Sequence, residues 1–263
     1  MSSWFQCVLT IAGFLFIAIG GLLLSRRYVT RRLVFSRDIN DAVNYFGSAM
    51  AALYSVTLGL IAVASWQNYS DVDNLVSHEA STIGVIYRDV GGYPKEIRDE
   101  FRRRLREYTV FVIEKSWPAQ RQGILLDQAT MMITDLHQIM LDYEPPTIGR
   151  SVMHAEAMRK FNELIDLRRQ RADKVDQGLP LVLWIVVAVG GILTLGVSYF
   201  FWIEDVRFHV LLLTLLTVFV ALMIYLIASL DRPFRGNISV PPDSYRLIIE
   251  RVMNPIDAAG KKF

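Results

Sequence analysis

Few residues in this chain have the types from which chemistry is built. Its four histidines, His78, His137, His154 and His209, stand singly, and Cys7 is the only thiol. A metal site needs three or four such ligands brought together, and a thiol nucleophile needs a base beside it. The adjacent pair His78-Glu79 could join His137 or His154 around a metal, but no spacing gathers them, so surface or interhelical histidines are expected. Cys7, inside an apolar run, reads as a small helix residue. There is no Gly-rich phosphate loop, HExxH, paired-Cys motif or Gly-x-Ser-x-Gly elbow. No catalytic residue, metal or cofactor is therefore expected, and the chain does not read as an enzyme.

What remains is chemistry of ion passage. Ser48, Ala52, Ser55, Gly59 and Ala62 recur at steps of four, three, four and three, which lines one helix face with small side chains. Close helix packing is the simpler reading of such a stripe, because small residues let backbones approach within a bilayer. The other reading is a pore-lining face. Glu79 and Arg88 flank a mostly uncharged segment beyond it, where an ion would pass a vestibule. Asp231 and Arg232 put an acid and a base side by side where an apolar run ends, a position suited to anchoring a helix end at the membrane boundary.

These residues sit on elements whose class is set by hydropathy. Uncharged apolar runs cover 5–24, 45–66, 179–202 and 208–230, whereas 67–178 holds 16 Lys or Arg and 18 Asp or Glu. A helix rises about 1.5 Å per residue, so ~20 residues cross the ~30 Å of hydrocarbon in a bilayer. The expected fold is an all-α membrane protein of four transmembrane helices with a helical soluble insertion between the second and third. Its parts are 1–66 with two spans, the insertion 67–178, a hairpin of two spans over 179–230, and a tail 231–263 with a short helix. Asp, Glu, Lys, Arg and His are missing from the span interiors, which argues against a proton relay or voltage sensor. A channel is compatible, since hydroxyls or apolar constrictions can also line a pore. Gly190, Gly191 and Gly196 in the third span suggest close packing, and Trp4, Trp66, Trp184, Tyr199 and Trp202 suit an interfacial belt.

Within the insertion the apolar period is helical. The second span is expected to continue through Val72, Leu75, Val76, Ile83, Ile86 and Val90 and to stop at Gly91-Gly92-Tyr93-Pro94. A following helix carries Ile97, Phe101, Leu105, Tyr108 and Val112 and should end at Trp117-Pro118. A third presents Ala129, Ile133, Leu136 and Met140, and a fourth Val152, Met158, Phe161, Ile165 and Leu167. The run Arg102-Arg103-Arg104 with Arg106 lies among Glu96, Asp99, Glu100 and Glu107 and reads as a salt-bridged surface more readily than as a headgroup contact. The near balance of charge in the insertion does not indicate nucleic acid as a partner.

Orientation is argued from arginines. Five of them in 25–38 make the first loop cytoplasmic by the positive-inside rule and put the insertion on the opposite side. Lys160, Arg168, Arg169, Arg171 and Lys174 before the third span, with Arg232 and Arg235 after the fourth, weigh against this.

Taken together, Leu53-Tyr54-Ser55, Trp66-x-x-Tyr69-x-Asp71 with Glu79-Ala80 and Tyr87-Arg88, Trp117-Pro118, and Asp231-Arg232-Pro233-Phe234-Arg235-Gly236 resemble the bacterial bestrophin-like domain family across nearly the whole chain. Bestrophins are pentameric channels with four spans per subunit, a hydrophobic neck on the second span and a helical cytoplasmic region. The resemblance thus implies a homo-oligomeric ion channel in the bacterial plasma membrane, in contact with lipid, with the insertion cytoplasmic. Two departures stand out. The neck's bulky side chains are replaced here by the stripe from Ser48 to Ala62, and the acidic calcium clasp after the fourth span has no counterpart, so calcium gating is not implied. The alternative is a non-conducting scaffold or signalling subunit whose helical domain binds a protein partner. A stator-like force transducer shares the layout of spans without further motif support.

Overall fold

The computed structural model describes residues 3–28, 37–235 and 238–260. Arg31 and Arg32 of the first loop, and Gly236, lie outside them. Among the described residues four helices are long and apolar enough to cross a membrane: α1 (Ser3–Tyr28), α2 (Arg37–Asp89), α7 (Leu181–Ser198) and α8 (Val206–Leu230). The protein is an all-α membrane protein with the helical insertion between α2 and α7. Its contacts divide it into two units, one of Met1–Asn68 with Gly178–Asp231, the other of Tyr69–Gln177 with Arg232–Phe263.

In the membrane unit the helices touch along narrow apolar seams. Ala18 and Leu22 of α1 meet Leu195 and Leu213 of α7 and α8. Tyr54, Leu58 and Ile61 of α2 meet Val187, Val220 and Ile227. Most other large apolar side chains point outward, Leu53 at 73% exposure and Ile192 at 70% among them. In water so large an apolar surface would drive association; here it is the surface that meets lipid.

The second unit is built on the C-terminal part of α2, which is one helix from Arg37 to Asp89 and ends in a 3-10 turn, Val90–Gly92. Around it stand α3 (Lys95–Phe111), α4 (Trp117–Gln120), α5 (Asp127–Leu141) and α6 (Ile148–Lys174). Val72, Val76, Ile83 and Ile86 of α2 are buried against Phe101, Leu105 and Tyr108 of α3, Ile133 and Leu136 of α5, and Phe161 and Leu164 of α6. The heptad-like spacing that selects these faces is what stabilises the helices, since an isolated amphipathic helix gains most of its stability from packing. Val152, expected in this core, is 66% exposed; the buried face of α6 instead begins at Ala157 and continues through Phe161, Leu164 and Leu167.

Trp117-Pro118 does not end the helix it follows. A π turn, Val112–Ser116, intervenes, and the Trp117 N–H donates to Val112 O, five residues back. That extra residue starts a new register in which Pro118 falls in the first turn of α4, where its missing N–H costs nothing.

The tail after residue 231 belongs with this unit. Trp117 Nε1 donates to Val240 O at 3.0 Å, and its ring meets Phe234 and Tyr245 edge-on, with centroids 5.7 and 5.5 Å away. Two short helices follow, α9 (Asp243–Ile248) and α10 (Asn254–Gly260), joined by a second π turn.

Candidate functional site

The second span has two faces with different fates. Tyr54, Leu58, Ile61 and Ser65, at steps of four, three and four, are buried. Tyr54 fixes this face: its hydroxyl donates to Val187 O at 2.9 Å, and its ring lies so close to Gly190 that a Cβ there would stand 2.4 Å from Tyr54 Cδ2. Gly191 meets the same side chain, whereas Gly196 faces open space. The close approach expected of the α7 glycines is therefore made by Gly190 and Gly191, to accommodate an aromatic ring.

The small-residue stripe lies on another face. Ser48, Ala52 and Ser55 are exposed, Gly59 and Ala62 half-buried, and a Cβ on Gly59 would meet nothing within 4 Å. Within the chain Ala62 packs against the cluster of Tyr54, Leu58 and Ile61, while Ser48, Ala52 and Ser55 stay exposed. Its hydroxyls bond locally, Ser55 Oγ to Ala52 O at 2.9 Å and Ser48 Oγ to Asn44 Oδ1 at 3.4 Å. Because α2 begins at Arg37, the stripe extends upstream through Asn44 and Asp41, which with Tyr45 and Ser48 line a shallow groove of about 690 Å³. The same three- and four-residue steps carry this extension, but the charge of Asp41 sets the helix start at Tyr45 when hydropathy alone is read.

Glu79 is fully buried, away from any surface an ion could reach within the unit. Arg171 of α6, itself 2% exposed, places Nε 2.6 Å from Glu79 Oε2 and Nη2 3.2 Å from Oε1, and Nη1 donates to Gln120 Oε1 at 2.8 Å. The guanidinium also lies 5.4 Å from the Trp117 ring centroid. Burial works against the charge on Arg171, but Glu79 beside it, with Tyr245 and Tyr108, outweighs that and holds its pKa well above the ordinary arginine value. Burial raises the hydroxyl pKa of Tyr108 and Tyr245, which surround the pair. This partner for Glu79 escaped the sequence reading, in which Arg171 counted as a boundary charge. The available signal was its register: Leu164, Leu167 and Arg171 share the buried face of α6.

Arg88 is exposed. Asp231 accepts the N–H of Leu179, tying the end of α8 to the start of α7, and Arg232 is exposed. The histidines are dispersed. His78 Nε2 lies 3.1 Å from Glu163 Oε1, His137 stacks on Phe161, and His154 Nδ1 lies 2.6 Å from the Tyr93 hydroxyl. His209 is buried where α8 begins. Its Nε2 donates to Ser198 O at 3.0 Å, which leaves Nδ1 to accept from Arg26 Nη2 at 3.1 Å. Arg26 thereby joins α1 to the turn between α7 and α8, a role its place in a basic loop did not signal.

The Bestrophin-like domain family matches residues 12–245. Among solved structures, a bacterial bestrophin homologue from Klebsiella pneumoniae with a leucine-to-threonine mutation has a TM-score of 0.69 at 11% identity, over 96% of this chain and 99% of that one. An isoleucine-to-threonine variant gives 0.67 at 14% identity, over 95% and 99%. A third form, solved by zinc phasing, gives 0.64 at 14% identity, over 94% and 96%. Identity this low establishes a common fold and nothing finer. No curated protein matches the chain.

Proposed function

Because the chain belongs to the bestrophin-like domain family, we propose that it is a homo-oligomeric ion channel, or channel-like protein, of a bacterial plasma membrane, its second span facing the symmetry axis. The observation that carries this reading is the division of labour on α2. One face is locked into the subunit by Tyr54, while along the stripe Ser48, Ala52 and Ser55 are exposed and Gly59 and Ala62 half-buried. Several copies arranged with that stripe inward would surround a path lined by small side chains, with Asp41 and Asn44 at one mouth. Such a path is wider than one lined by bulky apolar rings. Its control would rest on the apolar stretch and the mouth, since the hydroxyls bond to their own helix.

On this reading Glu79 is a structural residue that fixes the helices of the second unit and is not part of the ion path. Arg88, being exposed, remains a vestibule candidate. Asp231 fixes the hairpin that braces the span from behind, and Arg232 is available to headgroups.

Reconstitution into planar bilayers tests the proposal. The wild-type oligomer should conduct, and Ser55→Leu, which fills the stripe without touching the Tyr54 face, should cut unitary conductance several-fold. A correctly assembled oligomer that is electrically silent would favour the scaffold reading instead.

A further inference from the structure

A second site lies in the helical unit, on the face of α3 turned toward α10. Lys95, Arg98, Arg102 and Arg106 recur at steps of three, four and four, so their side chains form one row. Between this row and α10 is a cleft of about 1070 Å³. Asp99 and Asp257 are the carboxylates that line it.

The cations of the cleft are not equally compensated. Arg106 is held by Asp257 at 3.0 Å and by Asn254 Oδ1 at 2.7 Å. Arg98 Nε reaches Asp99 at 2.9 Å. Arg103 is turned to Glu100 and Glu107. Arg102 differs from all three. Its Nε donates to Tyr87 O at 3.0 Å and its guanidinium lies 5.1 Å from the Tyr87 ring centroid; Asp257 and Asp99 act on it from nearby, but no carboxylate among the described residues forms a direct ion pair with it. One Nη fits against Gly91, where even a Cβ would come within 3.1 Å. Burial lowers its pKa and Arg98 adds like-charge repulsion, outweighing the opposing pull of Tyr87, Asp257 and Asp99. A half-buried guanidinium with no carboxylate in direct contact keeps donors free for an anion that can reach it. The fork geometry of arginine suits phosphoryl oxygens, and cations one helical turn apart, about 6 Å, suit two such groups carried by one small molecule.

We propose that this cleft binds a small multivalent phosphate, of the tripolyphosphate or bisphosphate class, with Arg98 and Arg102 on one phosphoryl group and Lys95 on the next. The same chemistry is offered by a soluble metabolite and by a bisphosphorylated lipid headgroup.

The test is titration of the full-length detergent-solubilised protein with sodium tripolyphosphate at constant ionic strength. Saturable binding at least tenfold tighter than orthophosphate is expected, and Arg98→Gln with Arg102→Gln should weaken it at least tenfold. Asp99→Asn, which removes a competing carboxylate from an exposed position, should tighten it several-fold, and this gain does not depend on the double variant folding. Binding matched by sulfate, or unchanged in the double variant and in Asp99→Asn, overturns the proposal. Repeating the titration in nanodiscs with and without a bisphosphorylated inositol lipid assigns the source. Competition by the lipid identifies a headgroup site, and undiminished binding a soluble ligand; both outcomes uphold the phosphate site.

Discussion

Arg171 and Glu79, 92 residues apart in sequence, meet in the interior of the helical unit as a two-pronged ion pair, with Nε 2.6 Å from Oε2 and Nη2 3.2 Å from Oε1. Gln120 accepts a further N–H of the guanidinium, and Trp117 covers its face. The pair therefore joins α2, α4 and α6 at one point. A buried pair need not stabilise more than a well-packed apolar substitute, but losing one member leaves the other charged and unsolvated.

Arg171→Leu or Glu79→Leu should each destabilise the helical unit by about 3–5 kcal/mol. The double variant Glu79→Leu with Arg171→Leu should recover a large part of that loss. Denaturant unfolding in detergent, followed by tryptophan emission, measures both. Losses that simply add would contradict the pairing.

Gly190→Ala places a methyl group within the Tyr54 ring, so the membrane unit should lose about 1–3 kcal/mol, as overpacked sites do. Gly196→Ala meets open space and should leave stability within about 0.5 kcal/mol of wild type. Thermal unfolding of the two variants in the same detergent compares them. Equal loss in both would show that helix flexibility, and not the Tyr54 contact, explains the glycines.

Much of this architecture was legible because bilayer and core impose simple periodic demands. The uncharged runs marked the four spans, and the faces built on Ile133, Leu136 and Met140 or on Phe101 and Leu105 followed from spacing alone. What escaped depends on partners far apart in the chain. Nothing near residue 117 announces that Trp117 will seek Val240, so the tail appeared separate from the insertion. The π turn before Pro118 was hidden because proline ends a helix unless the register shifts just ahead of it. Arg171 looked like a boundary charge because charge outweighs register when hydropathy is read. Of the candidate site, the small stripe was visible, but not whether another helix of the same chain would cover it.

His154 gives the helical unit a pH dependence of definite sign. Burial lowers its pKa in the folded state, and Nδ1 lies 2.6 Å from the Tyr93 hydroxyl. The unfolded chain, with a histidine pKa of about 6.5, thus binds the proton more readily. The resulting stability is fully present above the unfolded pKa and is lost as pH falls through the folded one. Melting temperature should drop as pH falls below about 6.5 toward the lowered folded-state value, and His154→Gln should flatten that slope. Parallel slopes for wild type and variant would remove His154 from the account.

The central claim, that the small-residue stripe of the second span lines an ion path, is tested most directly by thiol modification. With Cys7 replaced by serine, Ser55→Cys carries the single thiol on the stripe and Leu53→Cys the single thiol on the outward apolar surface. Single-channel recording in planar bilayers during addition of a charged, water-soluble thiol reagent should show the Ser55→Cys current fall abruptly and the Leu53→Cys current persist. Block at Leu53→Cys with none at Ser55→Cys would contradict the account.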